Sequence, residues 1–180
     1  IVERQLHEMI SVARATVDPV TGRRFEADSG AAVVMEVDTG RIVAMASQPT
    51  YDPDVWVGGI SEKQLQRLYS SKAGTPLLSR ATQGQFAPGS TWKPFMTAGA
   101  LTNGYSMDTT LPCSSGFQVG NRVFKNYESG AYGNIGFAKA LEVSCNTFFY
   151  RIGYDYWRRL GSDVADVNAE DPLVEQAQAF

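Results

Sequence analysis

Apolar side chains at Val2, Leu6, Met9, Ile10 and Ala13 recur at the spacing of one helical face, while Glu3, Arg4, Glu8 and Arg14 turn elsewhere. The spacing predicts an amphipathic helix over residues 2–15, packed on a sheet or on another helix. After turn-forming Asp18, Pro19 and Gly22, two apolar runs, 31–37 and 41–46, flank Asp38-Thr39-Gly40. They read as a hairpin in which Gly40 supplies a positive φ. Both runs are nearly unbroken, so other elements are expected to cover both faces of the hairpin.

Residues 47–60, with Pro49, Pro53, Gly58 and Gly59, read as a loop, and Ser61 with Gln64 forms a capping box for a short helix whose inner face is Leu65 and Leu68. The next helix is expected from Ser90 to about Leu101, ended by Asn103-Gly104; Trp92, Phe95, Met96, Ala98 and Ala100 surround it on all sides and mark it as a core helix. Residues 111–133, rich in Gly, Ser and Asn, read as loops with short strands. Asn134 is expected to cap a helix to about Val143. A break at Ser144-Cys145-Asn146 then leads into a second helix carrying Phe148, Phe149, Ile152, Tyr156 and Leu160. An acidic, loop-like stretch follows Gly161, and Pro172 opens a final helix. Only two strands are convincing, and a hairpin alone is marginal in water, so the pattern lacks the sheet its own strands require.

At 180 residues and 43% apolar content the chain can bury a real core, as one compact domain or part of one. A net charge of −3 without a Lys/Arg cluster gives no footprint for nucleic acid or an anionic membrane surface. Cys113 and Cys145 are too few and too far apart in sequence for a disulfide framework or a CxxC metal site, and His7 is the only histidine. The redox compartment therefore stays open. No apolar run reaches the roughly 18 residues that span a bilayer, and no internal repeat is present.

The chemistry concentrates in Pro88-Gly89-Ser90-Thr91-Trp92-Lys93. Pro and Gly fix a tight approach that puts Ser90 at a helix N-terminus, where free N–H groups and the helix dipole favour negative charge, both on the serine oxygen and on a developing oxyanion. Lys93, one turn on, shares that face. Desolvated by apolar neighbours, its amine would be held neutral and able to take the hydroxyl proton. The segment also fits an N-cap serine and a solvated lysine, but a lysine inside an otherwise apolar helix is costly without a purpose. At the break between helices, Ser144 and Asn146 can face a cleft, the hydroxyl relaying a proton and the carboxamide bonding both a lysine and a substrate amide; equally, they can serve as caps at a helix junction. Cys145 reads as a buried small residue rather than a nucleophile, and the aromatic stripe of Phe148, Phe149, Tyr156 and Trp157 as core.

Together, Pro-Gly-Ser90-Thr-Trp-Lys93 and Ser144-Cys-Asn146 resemble the first two of three active-site motifs of the penicillin-binding proteins. The Asp38–Met45 hairpin, Tyr51-Asp52-Pro53, Pro76-Leu77-Leu78-Ser79-Arg80-Ala81 and Asn146-Thr147-Phe148-Phe149-Tyr150 extend the likeness along the whole chain. Tyr51-Asp52-Pro53 looks like the monofunctional class B enzymes of the elongation type. The resemblance implies an α/β (α+β) fold of the serine β-lactamase/transpeptidase kind, of which residues 1–180 form the N-terminal part. It also implies a peptidoglycan D,D-transpeptidase: Ser90 is acylated by a D-Ala-D-Ala stem peptide or by a β-lactam, Lys93 is the base, and Ser144 and Asn146 assist. No metal or organic cofactor is implied. The implied partners are stem peptides, β-lactam antibiotics, the C-terminal half of the domain and other cell-wall synthesis proteins, and the implied location is the extracytoplasmic face of a bacterial membrane, with an anchor elsewhere in the full protein. A β-lactam hydrolase or a β-lactam-binding sensor of the same fold are the alternatives. The third motif, Lys-Ser/Thr-Gly, does not occur: Lys72-Ala73-Gly74 lacks the hydroxyl, and the closing strands and helix are expected outside this chain.

Overall fold

The computed structural model describes residues 1–19, 21–160 and 171–179. They form two compact units, Ile1–Phe86 and Ala87–Phe180.

The first unit begins with α1 (Val2–Ala15), the predicted amphipathic helix, whose Val2, Leu6, Ile10 and Ala13 are half-buried. It packs against an antiparallel hairpin of β1 (Gly30–Met35) and β2 (Ile42–Gln48). The turn closes as predicted: Gly40 has φ +71°, its N–H donates to the Glu36 carbonyl at 2.8 Å, and the Arg41 guanidinium pairs with Glu36 at 3.2 Å. The expected two-sided cover is not found. Ala31, Ala32, Ala44 and Ala46 are at least half-buried, whereas Val33, Val34, Met35, Ile42, Val43 and Met45 are exposed. Strand composition reports what a surface is suited to, and here only the small residues lie under α1 and α3.

A 3-10 turn, Pro53–Trp56, interrupts the predicted loop, and α2 (Glu62–Tyr69) starts at Ser61 with the full capping box. The short α3 (Arg80–Gln83) also packs on the hairpin. Its Arg80 ties the preceding loop down: the guanidinium donates to the Gly74 carbonyl at 2.6 Å and the Thr75 carbonyl at 3.3 Å, and the backbone N–H to Ser47 Oγ at 2.9 Å.

The second unit opens with a 3-10 turn, Gly89–Trp92, that runs into α4 (Lys93–Thr102). Lys93, Gly99 and Ala100 are buried, but Trp92, Phe95, Met96 and Ala98 are only half-buried, so α4 is less enclosed than its composition suggested. Residues 111–135 hold four short strands where loops predominated in the sequence reading: β3 (Leu111–Cys113), β4 (Gly116–Val119), β5 (Arg122–Lys125) and β6 (Gly133–Ile135). β3 pairs with β6 and β4 with β5, both antiparallel. Asn134 lies inside β6 instead of capping a helix; the N-cap of α5 (Phe137–Glu142) is Gly136. Then follow α6 (Asn146–Leu160) and α7 (Pro172–Gln178), the latter capped by the Asp171 carboxylate. The acidic stretch expected after Gly161 lies outside the described residues. The core of this unit gathers Phe137, Phe148, Phe149, Ile152 and Tyr156 around Ala100 and Ala140, so the predicted aromatic stripe is core, apart from half-exposed Trp157.

Candidate active site

Gly89 has φ +56°, and a Cβ there would meet only open space, so backbone conformation and not room calls for glycine before Ser90. Proline is the second residue of α4, where its fixed φ suits the first turn of a helix. Ser90 is exposed in this turn, while Lys93 is carried inward and left only 7% exposed.

Facing them is the corner between α5 and α6. The Ser144 N–H bonds the Leu141 carbonyl at 3.1 Å and the Cys145 N–H bonds the Ala140 carbonyl at 2.9 Å, which closes α5. Ser144 itself has φ +51°, a position that glycine usually takes at a helix end. A side chain held there costs backbone strain of about 1–2 kcal/mol, and such strain gathers at functional sites.

The two segments meet through Lys93. Its Nζ donates to the Asn146 Oδ1 at 2.6 Å, the Ser144 carbonyl at 2.7 Å and the Ser144 Oγ at 2.9 Å. Ser144 Oγ donates in turn to Ser90 Oγ at 3.0 Å. All four residues singled out in the sequence are thus brought together, but Lys93 reaches Ser90 through Ser144 and not directly. Burial pushes the Lys93 amine below its ordinary pKa. A neutral amine has two N–H groups and one lone pair, so it can donate to the Asn146 and Ser144 carbonyl oxygens while accepting the Ser144 hydroxyl proton. Turning the Ser144 hydroxyl toward Lys93 and the Ser90 hydroxyl toward Ser144 therefore makes the chain a path from Ser90 to Lys93. Asn146 uses its other end as well, donating from Nδ2 to the Lys125 carbonyl at 3.3 Å.

Ser90, Ser144 and Asn146 line a cleft of about 510 Å³ with Asn126, Tyr127, Glu128, Gly130 and Tyr132. The family model described as "Penicillin binding protein transpeptidase domain" matches residues 30–170. The chain belongs to this family. Peptidoglycan D,D-transpeptidase MrdA of Escherichia coli K12 is 37% identical over 128 residues, covering 69% of this chain and 20% of that protein. Penicillin-binding protein PBP2 of Helicobacter pylori superposes with a TM-score of 0.67 at 28% identity over 86% of this chain and 27% of its own. The same protein in complex with MreC gives 0.66 at the same identity, over 86% of this chain and 26% of that one. The chain thus shares the transpeptidase fold and falls with the class B, elongation-type members, and it spans about a fifth of the length of the curated relatives it matches.

For a penicillin-binding transpeptidase domain, two supports of this site were not legible in the sequence. Cys113 and Cys145 are joined in a disulfide, which corrects the expectation drawn from their spacing: 32 residues separate them, but β3 and the α5–α6 corner bring their Cα atoms within 6.2 Å. Asn126, nearly buried in the wall of the cleft, joins the same segments. The only prior signal for either was a polar or sulfur-bearing residue in a loop-rich stretch, which does not announce a partner.

Proposed function

We propose that this chain supplies the nucleophile and proton relay of a peptidoglycan D,D-transpeptidase, as the N-terminal part of its transpeptidase domain. The observation that carries the reading is the chain Ser90 Oγ, Ser144 Oγ, Lys93 Nζ, with links of 3.0 and 2.9 Å.

Ser90 Oγ attacks the carbonyl of the penultimate D-Ala of a stem peptide, and its proton passes by way of Ser144 to neutral Lys93. The oxyanion that forms is met by the amides of the first turn at Ser90. As the C–N bond breaks, the proton stored on Lys93 returns through Ser144 to the leaving D-Ala amine. The resulting ester is then attacked by the amine of a second stem peptide; the amine proton passes through Ser144 to Lys93 and returns to Ser90 Oγ as the ester C–O bond breaks. Asn146, anchored to Lys93 and the Lys125 carbonyl, keeps a second amide N–H for a substrate carbonyl. A β-lactam acylates Ser90 by the same first step.

The protein's proposed place is the extracytoplasmic face of the bacterial membrane, with an anchor elsewhere in the full protein. The Cys113–Cys145 disulfide supports an oxidising compartment. Since H. pylori PBP2 forms a complex with MreC, a cell-wall synthesis partner of that kind is proposed here too.

Incubating the full-length protein with a labelled penicillin tests the reading. We expect a stable adduct on the peptide containing Ser90, lost in Ser90→Ala. Rapid turnover of nitrocefin without a lasting adduct would instead make the protein a β-lactam hydrolase.

A further inference from the structure

Ser144 and Asn146 hold Lys93 from the two sides of one residue, Cys145, and that residue is covalently tied to the end of β3. The corner's own backbone is held by the Ser144 and Cys145 N–H groups, which bond back into α5. α5 is six residues long, Ser144 occupies a left-handed conformation without being glycine, and its side chain is exposed. The sulfur atoms, by contrast, are sealed: Cys113 and Cys145 are 0% and 1% exposed.

A second tie lies beside the first. Asn126 Nδ2 donates to the Gly130 carbonyl at 2.6 Å and the Ser114 carbonyl at 2.9 Å, while its Oδ1 accepts from the Thr147 N–H at 2.9 Å. The residue after Cys113 and the residue after Asn146 are thus clipped to one carboxamide. Thr147 Oγ1 adds a bond to the Ser114 carbonyl at 2.8 Å. The disulfide fixes the Ser144 side of the corner and Asn126 the Asn146 side.

We infer that the Cys113–Cys145 disulfide and Asn126 are positioning residues for the proton relay, setting the approach of Ser144 and Asn146 to Lys93, so that acylation of Ser90 depends on the oxidised state of the pair. The inference rests on the transpeptidase reading and goes beyond it. Relay geometry is sensitive: a displacement of about 1 Å can cost about a hundredfold in rate. Neither positioning residue touches the reacting atoms, and the sulfur atoms are buried, so loss of the disulfide should act on the acylation step and not on binding of a β-lactam before it; Asn126 lines the cleft, and its variant is read on the acylation constant alone.

The test uses the full-length protein in three forms: oxidised, reduced, and Cys113→Ala/Cys145→Ala. A dithiol reduces the pair, breaking one S–S bond, leaving two thiols and closing to a cyclic disulfide itself; thiol counting confirms the conversion. Labelled penicillin then gives three readouts: burst amplitude, the dissociation constant of the pre-covalent complex, and the first-order acylation constant. Loss of the disulfide should lower the first-order constant about tenfold or more, with amplitude and dissociation constant unchanged, and reoxidation should restore it. Asn126→Asp, which keeps the acceptor for Thr147 but sets a carboxylate oxygen against two carbonyls, should lower the same constant. An unchanged acylation constant in the reduced form overturns the inference. So does loss of amplitude alone, in reduced protein or variant, because that marks a staple of the fold and not of the relay. If the oxidised wild type takes no label, the transpeptidase reading falls and this inference with it.

Discussion

Lys93 is under two opposed demands. Its three acceptors and the face of the Phe149 ring, whose centroid lies 5.7 Å from Nζ, favour an ammonium, while loss of water on burial disfavours charge, and burial wins in lowering the pKa. Only the neutral amine can take the Ser90 proton, so the lowered pKa sets the sign of the pH dependence. Acylation should rise with pH as Lys93 loses its proton, along a limb centred below the ordinary lysine value of 10.5. A pH series of penicillin acylation rates checks this; a limb centred at or above the ordinary value would remove Lys93 as base. Lys93→Arg, which keeps the charge but cannot deprotonate, should slow acylation by about 10²–10⁴ at every pH, the usual range for a lost general base. Ser144→Ala deletes the bridging hydroxyl while leaving its carbonyl bonded to Lys93, and should cost about a hundredfold in acylation rate with little change in pre-covalent binding. An equal rate in that variant would mean that Lys93 reaches Ser90 unaided.

Among the elements, α6 carries both the corner and the core: it starts at Asn146, and its Phe148, Phe149 and Ile152 are almost fully buried. Phe148→Ala should destabilise the fold by about 3–5 kcal/mol, read as a lowered midpoint in denaturant unfolding with the slope unchanged. A cost below about 1 kcal/mol would show that Phe148 is not part of a close-packed core. This helix was legible because its apolar residues keep a helical period for four turns. So was α2, whose Ser61 and Gln64 announce the N-terminus. Asn134 misled because a residue good at capping helices is also good at turns and strand ends, and the competing β3–β6 pairing lies 22 residues apart in sequence, Pro112 opposite Asn134. Strands of three or four residues carry too few alternations to reveal a period of two. The quartet around Lys93 was legible as chemistry, with the Ser144 hydroxyl as a relay, because a lysine inside an apolar helix is costly without a purpose, whereas the left-handed φ of Ser144 at the corner is something no residue pattern encodes. The disulfide and Asn126 escaped for the same reason as the short strands: both join segments remote in sequence through geometry alone.

For the molecule as a whole, the site holds the proposed nucleophile, base and relay, but the family resemblance assigns a further strand with Lys-Ser/Thr-Gly to the cleft, carrying a second oxyanion donor. The nearest match in these 180 residues, Lys72-Ala73-Gly74, belongs to a 3-10 turn, Ser71–Ala73, ended by Gly74 at φ +76°; it is not a strand and has no hydroxyl. The hairpin of β1 and β2 meanwhile presents Val33, Val43 and Met45 to solvent, the kind of apolar surface on which further sheet would be buried. One missing oxyanion donor costs about 10²–10³ in rate. The 180-residue chain prepared by itself should therefore take up labelled penicillin at least a hundredfold more slowly than the full-length protein, although Ser90, Ser144 and Lys93 are all present in it. Adding the remaining segment of the domain as a separate polypeptide should restore labelling in proportion to the complex formed. Stable labelling of the isolated chain at the full-length rate would show that the amides at Ser90 suffice for the oxyanion and that the relay around Lys93 is a complete catalytic unit.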